Sequence, residues 1–160
     1  MLDSTLTARV LHAGEGPTYR VVADLVTFKA TAATTNGAYG LFETRTPPGQ
    51  GVPPHRQRYE EEAFWVLEGR YHFLVDGQQV ELGPGGYVFV PRGTVHAYTN
   101  SGDSAGRMLI LVSPGGIHER FFAEVGEPMG DPAVPASPPD LPRLIAVATK
   151  YGIEILPPGE

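Results

Sequence analysis

Four polar residues in the middle of the chain are of types that bind metal ions. His55 and Gln57 are two positions apart, so on a β-strand both side chains point to one face. Glu62 opens the next predicted strand, and His96 lies in a strand placed to run antiparallel beside the first. Imidazole nitrogens with carboxylate and amide oxygens suit one divalent first-row transition metal: Fe, Mn, Ni, Co, Cu or Zn. Four protein ligands on an octahedral ion would leave two positions for water or substrate.

The elements that must position these residues are short strands joined by tight turns. Gly and Pro number 20 and 16 among 160 residues, with many short apolar runs between them, which is typical of an all-β protein. Asp76-Gly77 between two apolar runs indicates a hairpin, because both turn positions tolerate positive φ. The predicted strands cover residues 19–22, 25–28, 38–46, 62–67, 70–75, 80–82, 87–90, 94–99 and 107–112. This spacing indicates a sandwich or barrel.

The C-terminal part has a different pattern. Apolar residues at helical spacing predict a short helix over 117–125. A proline-rich connector is predicted over 127–142, followed by a helix over 141–151 with Asp140 as its N-cap. The length favours a single domain, residues 1–160.

Charge and composition exclude several kinds of partner. The formal net charge is −6 and no basic patch stands out, so we expect no nucleic-acid partner. The chain has no cysteine, which excludes disulfides and thiolate metal sites. An acid near the N-terminus and no apolar segment there argue against a signal peptide. The aliphatic run Met108–Val112 is too short to span a bilayer, so we expect a cytoplasmic protein without a membrane partner.

Residues 49–100 resemble the two sequence motifs of the cupin superfamily. The first motif, G-x5-H-x-H-x3,4-E-x6-G, is similar to the series Gly49, His55, Gln57, Glu62 and Gly69. The second motif, G-x5-P-x-G-x2-H-x3-N, is similar to the series Gly85, Pro91, Gly93, His96 and Asn100. Every position matches except one, because Gln57 stands where the first motif has its second histidine. The resemblance implies a cupin double-stranded β-helix, or jelly-roll barrel, with short C-terminal helices.

Flanking residues narrow the resemblance to small cupins grouped with the quercetin 2,3-dioxygenases. They are Pro53-Pro54 before His55 and the segments 24–29, 62–69 and 121–126. This resemblance implies a metal held by three histidines and one glutamate, and a flavonol-cleaving dioxygenase reaction in the best-known members. Gln57 offers a neutral amide oxygen in place of an imidazole nitrogen, so metal affinity should fall. The alternative is a relic site that holds water between polar groups.

Glu62 is predicted to be a metal ligand and a catalytic base, because burial near a metal can raise the pKa of a carboxylate. The alternative is a buried acid paired with an arginine. Six apolar or aromatic residues are candidates for the substrate pocket, and for each of them a role as ordinary core is the favoured alternative. They are Tyr39, Phe64, Phe73, Tyr98, Met108 and Ile110, of which we favour Phe64 and Tyr98.

The remaining polar and aromatic residues are given structural roles. Glu60 and Glu61 are interpreted as solvated loop charges. The other three histidines lack partners at ligand spacing: His12, His72 and His118. They are interpreted as surface residues or as residues that contact the metal ligands without binding the metal. Trp65 alternates with Phe64 and so faces away from the pocket, which makes it a candidate anchor for a homodimer.

The leading functional hypothesis is a metal-dependent cupin oxidoreductase similar to quercetin 2,3-dioxygenase. Its substrate would be a small oxygenated molecule, with aromatic molecules among the candidates, that chelates the metal through the two open positions. The first alternative is a non-oxidative cupin isomerase or cyclase, which the weaker donor at Gln57 favours. The second is a non-catalytic cupin that binds a small ligand beside a degenerate metal site.

Overall fold

The computed structural model describes residues 5–129 and 138–157, and β-strands are their main regular secondary structure. The strands are β1 (Thr18–Val21), β2 (Asp24–Ala30), β3 (Gly40–Thr46), β4 (Gly51–Gln57), β5 (Glu61–Glu68), β6 (Tyr71–Val75), β7 (Gln78–Leu82), β8 (Tyr87–Val90), β9 (His96–Asn100), β10 (Gly106–Ser113), β11 (Glu127–Pro128) and β12 (Ile153–Ile155). The helices are α1 (Ala32–Thr35), α2 (Ile117–Val125) and α3 (Leu141–Lys150). No helix of the described ranges is long and apolar enough to cross a membrane.

The strands form two antiparallel sheets. The seven-stranded sheet has the order β11-β1-β2-β3-β10-β5-β8, and the five-stranded sheet has the order β12-β4-β9-β6-β7. Consecutive strands often lie in different sheets, as expected for a jelly roll. The predicted cupin double-stranded β-helix is confirmed.

The core lies between the inner faces of the two sheets and contains a cluster of aromatic rings. Phe64 of the larger sheet contacts Phe73 and Tyr98 of the smaller sheet, with ring centroids 5.6 and 5.9 Å apart. Phe42 and Met108 are buried in the same cluster. These rings fill the barrel between its two sheets and form part of the wall of the site described below.

The hairpin of β6 and β7 turns where the sequence predicts it. Val75 pairs with Gln78, which leaves Asp76-Gly77 as a two-residue turn. Both turn residues have positive φ, 50° at Asp76 and 76° at Gly77. The turn thereby fixes the pairing register of β6 with β7. On its other side β6 pairs with β9, the strand that carries His96.

The C-terminal elements close one side of the barrel. Helix α3 begins at Leu141, close to the predicted 141–151, and the Asp140 side chain accepts a hydrogen bond from the backbone N–H of Arg143 at 3.1 Å. Of the predicted connector over 127–142, residues 130–137 lie outside the described residues. Strand β12, which no pattern in the sequence predicts, pairs with β4 and places Ile155 opposite His55.

Candidate metal centre

A bulge in β4 places His55 directly opposite His96 of β9. The register changes from Val52 opposite Tyr98 to His55 opposite His96, so β4 has one residue more than β9 over this interval. The bulge contains Pro53-Pro54, which have no backbone N–H for regular pairing. The two imidazole rings consequently lie close together, with their centroids 4.2 Å apart.

Gly51 allows β4 to approach β9 at the edge of the site. A Cβ atom at this position would lie 1.9 Å from the carbonyl oxygen of Tyr98, which is far inside contact distance. Any larger residue would therefore separate the two strands that carry His55 and His96.

Glu62 of β5 brings a carboxylate to the two histidines from the facing sheet. Its Oε2 lies 2.8 Å from Nε2 of His96, and both side chains are buried. The donor atoms of His55, Glu62 and His96 all lie within 4.8 Å of one another. The three residues converge as the motif spacing predicts.

Each of these histidines presents Nε2 to the cluster, because its Nδ1 is already engaged. Nδ1 of His55 donates to the carbonyl of Pro53, and Nδ1 of His96 donates to the carbonyl of Thr94, both at 2.9 Å. A neutral imidazole with Nδ1–H has a lone pair on Nε2. This lone pair on His96 can lie 2.8 Å from the carboxylate of Glu62 only if a proton or a metal ion lies between them. The donor set therefore fits a divalent cation.

The ionisation of two ligands also favours metal binding. Burial lowers the pKa of His55 to about 4, and the neighbouring His96 adds to this effect. Burial alone would raise the pKa of Glu62, but the hydrogen bond from His96 and the charges of His118 and His96 outweigh it and bring the pKa to about 2. At neutral pH His55 is neutral and Glu62 is ionised, which are the forms that coordinate a metal.

Gln57 lies in the cluster but presents its amide nitrogen to it. Nε2 of Gln57 donates to Oε2 of Glu62 at 2.7 Å and lies 3.4 Å from Nε2 of His118. An amide nitrogen has no lone pair to give to a metal, so coordination through Oε1 would require the amide to turn over. In the arrangement seen, Gln57 holds the carboxylate of Glu62 in place, and its role as a fourth ligand stays a prediction.

The interpretation of Glu60 as a solvated loop charge is wrong. Its side chain is 2% exposed, and both carboxylate oxygens lie within hydrogen-bonding distance of Nδ1 of His118, at 2.8 and 2.9 Å. His118, on α2, is itself 5% exposed, so of its two predicted roles the surface one is wrong. Its Nε2 faces Gln57 and lies 4.0 Å from Oε1 of Glu62. Glu60, His118, Gln57 and Glu62 thus form one buried polar chain.

The sequence contained a signal for the burial of His118. Positions 118, 121, 122 and 125 follow the i, i+3, i+4, i+7 spacing of a single helix face. Phe121 and Phe122 occupy the middle of this face and are buried, and both rings contact the imidazole of His118. Glu60 has no comparable local signal, because its partner lies 58 residues away.

An apolar cavity of about 180 Å³ adjoins the cluster, and His55, Gln57 and Glu62 form part of its wall. Phe64, Tyr98 and Ile110 line the cavity, whereas Phe73 and Met108 are buried in the core outside its lining. The placement of Tyr39 in the pocket is wrong, because its side chain is 38% exposed and lies outside the lining. The inward face of β3 begins one residue later, at Gly40, and in a strand a shift of one residue reverses the face.

Comparison with known proteins identifies the family. The family model of the cupin domain matches residues 42–112. This range contains His55, Gln57, Glu60, Glu62 and His96, but not His118. This chain is a cupin-domain protein. The cupin is 32% identical over 129 residues to a quercetin 2,3-dioxygenase from Bacillus subtilis (strain 168), and the alignment covers 81% of this chain and 38% of that protein. It is 33% identical over 84 residues to the polyketide synthase CurC of Streptomyces cyaneus, covering 52% of this chain and 53% of that protein.

The cupin also has the fold of known structures. A protein described as a predicted oxalate decarboxylase, from Thermotoga maritima, superposes with a TM-score of 0.60 at 22% identity, covering 65% of this chain and 97% of that chain. This likeness shows the fold alone. The cupin spans only about two fifths of the dioxygenase and about half of CurC.

Proposed function

We propose that this cupin is a metal-dependent oxidoreductase that acts as a dioxygenase on a small oxygenated aromatic molecule. The observation that carries the proposal is the cluster of His55, Glu62 and His96, whose donor atoms lie within 4.8 Å of one another beside an apolar cavity. Two imidazoles and one carboxylate are the donor set of non-haem Fe(II) oxygenases. The similarity to a quercetin 2,3-dioxygenase supports the same class of reaction.

His55, His96 and Glu62 would hold the metal, which we take to be one divalent first-row ion. When bound, such an ion supplies Lewis acidity toward substrate oxygens and, if it is redox-active, one-electron chemistry. Gln57 is placed to hold Glu62, and a second partner for the carboxylate restricts its rotation.

The protein side chains around the cavity would bind and orient the substrate. Phe64 and Tyr98 present aromatic rings to the cavity, and Ile110 adds an aliphatic surface. These walls favour a flat apolar ring and exclude water from the reacting atoms. The pKa of Glu62 is lowered to about 2, which makes its carboxylate a weak proton acceptor near neutral pH. We therefore assign Glu62 to metal binding in preference to general-base catalysis.

Oxygen uptake provides the test of the dioxygenase proposal. The protein is loaded anaerobically with Fe(II), Mn(II), Co(II), Ni(II), Cu(II) or Zn(II) in turn and then mixed with quercetin or with catechol. We expect oxygen consumption with at least one metal, in proportion to substrate consumed, and its loss in His96→Asn. The surface variant His72→Asn is the control and should retain the activity. Substrate turnover at the same rate without oxygen would contradict the proposal.

A non-oxidative isomerase or cyclase is the second candidate. Gln57, in place of the second motif histidine, gives the site one fewer imidazole, which favours metal chemistry without a change of oxidation state. The similarity to the polyketide synthase CurC favours a role in polyketide synthesis. Anaerobic turnover is the outcome that this candidate predicts, and ligand-induced stabilisation without turnover would indicate a binding protein instead.

A further inference from the structure

The cavity beside the histidine cluster has room for one aromatic ring and little more. Its volume is about 180 Å³, and engineered apolar cavities of about 150 Å³ bind benzene. His55, Gln57 and Glu62 form one part of its wall, and the aromatic core closes much of the rest. A ligand larger than a single ring must therefore extend out of the cavity where its wall reaches the surface.

The wall reaches the surface at three apolar side chains, which together we call the mouth. They are Val22 in the β1–β2 turn, Pro53 in the bulge of β4 and Leu141 at the start of α3. Val22 and Leu141 are 43% and 56% exposed, and Pro53 is exposed as well. Every other residue of the lining within the described chain is buried or partly buried. A ligand that extends out of the cavity therefore meets apolar side chains at the exit.

Beyond the mouth lies a groove on the outer surface that contains charged residues. Val22 and Leu144 line both the cavity and this groove, so the two spaces adjoin at the mouth. The guanidinium of Arg143 in the groove donates to the backbone carbonyl of Glu124 at 2.9 Å. The carboxylate of Glu124 pairs with Lys150 at 3.0 Å. Because Arg143 and Glu124 already have partners in the protein, the mouth offers a ligand more contact than they do.

The backbone of Val22 supports a binding role for its side chain. Val21 pairs with Asp24, which leaves Val22 and Ala23 as a two-residue turn. Val22 has φ 57°, a value that a β-branched residue rarely adopts and that glycine adopts without strain. Strained residues of this kind are concentrated at functional sites. A valine at this position places an isopropyl group at the mouth, which glycine would not.

We propose that the mouth binds an apolar substituent of the ligand, so that the ligands of this cavity are single aromatic rings that carry a short alkyl chain. The ring fills the cavity, and the chain passes between Val22 and Leu141. Burial of each methylene against these side chains raises affinity, whereas a hydroxylated chain would lose hydration there without gaining a partner. Chemistry on the ring at the histidine cluster rests on the proposed function, whereas binding of the chain requires no metal.

The test measures the binding of three phenols to metal-free protein, with dissociation constants determined by NMR titration. 4-Butylphenol has three more methylenes than 4-methylphenol, and each should raise affinity by about twofold to fourfold, depending on how fully it is buried. The wild type should therefore bind 4-butylphenol about eightfold to fiftyfold more tightly. 4-(3-Hydroxypropyl)phenol has a chain of the same length that ends in a hydroxyl, and it should bind at least about fivefold more weakly than 4-butylphenol.

Two variants and one control connect this gain to the mouth. Leu141→Ser and Val22→Asn should each reduce the gain from methyl to butyl by about threefold or more, because each removes apolar contact from the chain. Both should bind 4-methylphenol as the wild type does, since the ring lies deeper in the cavity. Asparagine tolerates positive φ, so Val22→Asn keeps the turn. Ile145→Ser is the control, because Ile145 is 47% exposed on the same helix but lies outside the cavity lining.

Three results would overturn the role of the mouth. The first is equal affinity for the three phenols in the wild type, or binding of none of them. The second is a gain from methyl to butyl that survives in both Leu141→Ser and Val22→Asn. The third is an equal loss in Ile145→Ser, which would assign the effect to helix α3 as a whole. Metal uptake is measured separately on the same protein, so failure of the metal centre and failure of the mouth give different results.

Discussion

Replacement of His118 by phenylalanine should destabilise the protein through the carboxylate of Glu60. Glu60 is almost fully buried, and within the described chain its carboxylate hydrogen-bonds only to Nδ1 of His118. A phenylalanine ring should fit in place of the imidazole, because the rings of Phe42 and Phe122 already surround this position with apolar contacts. The main cost is an uncompensated buried charge, and removal of one partner of a buried ion pair costs about 3–5 kcal/mol. We expect the free energy of unfolding of His118→Phe to fall by about 3 kcal/mol.

Urea unfolding at pH 7, followed by circular dichroism, measures this change. Glu60→Gln combined with His118→Phe should recover part of the loss, because the double variant leaves no buried charge. His72→Phe on the exposed face of β6 is the matched control and should stay within about 0.5 kcal/mol of the wild type. A His118→Phe protein as stable as the wild type would refute the reasoning. A double variant as unstable as the single one would assign the loss to packing instead.

The effect of pH on the same pair has a definite sign. Burial alone lowers the pKa of His118, but the charge of Glu60 and the hydrogen bond to it outweigh burial, so the pKa is raised from its ordinary value of 6.5. The stabilisation is therefore fully present below pH 6.5 and is lost as pH rises through the folded-state pKa. The difference between wild type and His118→Phe should narrow at alkaline pH.

Three further predictions concern the metal site and the surface. Gln57→His should raise the affinity for Zn(II) or Co(II), because an imidazole lone pair would replace an amide nitrogen. Chelator competition measures this affinity, and an unchanged value would show that the side chain at position 57 does not reach the ion. The pKa of His55 is lowered from 6.5 to about 4, so as pH falls the unfolded chain binds a proton before the folded chain does. Lowering the pH of the metal-free protein from 7 to 5 should therefore reduce its free energy of unfolding by at most about 2 kcal/mol, a loss that His55→Asn should not show. Parallel pH profiles of unfolding for the two proteins would contradict this prediction. We propose a homodimer through the outer face that carries Trp65, Tyr87 and Phe89, whose side chains are 53%, 63% and 48% exposed. Trp65→Ser should shift the mass measured by light scattering toward that of the monomer, whereas Tyr59→Ser should not. A monomeric wild type would contradict this proposal.

The parts of the structure that follow from local patterns could be predicted from the sequence. The Asp76-Gly77 hairpin needs only two residues that accept positive φ. His55, Glu62 and His96 converge because motif spacing fixes their strands and faces. The exact pairing of His55 with His96 was not predictable in this way, because it depends on the bulge in β4. The position of Trp65 on the outer face follows from strand alternation in the same way.

The parts that depend on distant contacts could not be predicted. Glu60 and His118 are 58 residues apart, and Asp24 and Tyr98 are 74 apart, so neither pair leaves a pattern within a single element. The orientation of the Gln57 amide is set by the charge of Glu62, which attracts the nitrogen instead of the oxygen.

Metal content of the purified protein tests the central claim most directly. Wild type and Glu62→Gln are each stripped with a chelator, reconstituted with Fe(II), Mn(II), Co(II), Ni(II), Cu(II) or Zn(II) at neutral pH, desalted and measured by elemental analysis. The site built from His55, Glu62 and His96 predicts that the wild type retains at least one of these metals at about one ion per chain and that Glu62→Gln retains much less. A wild type that retains none of the metals, or no more than Glu62→Gln, would contradict a metal centre in this barrel.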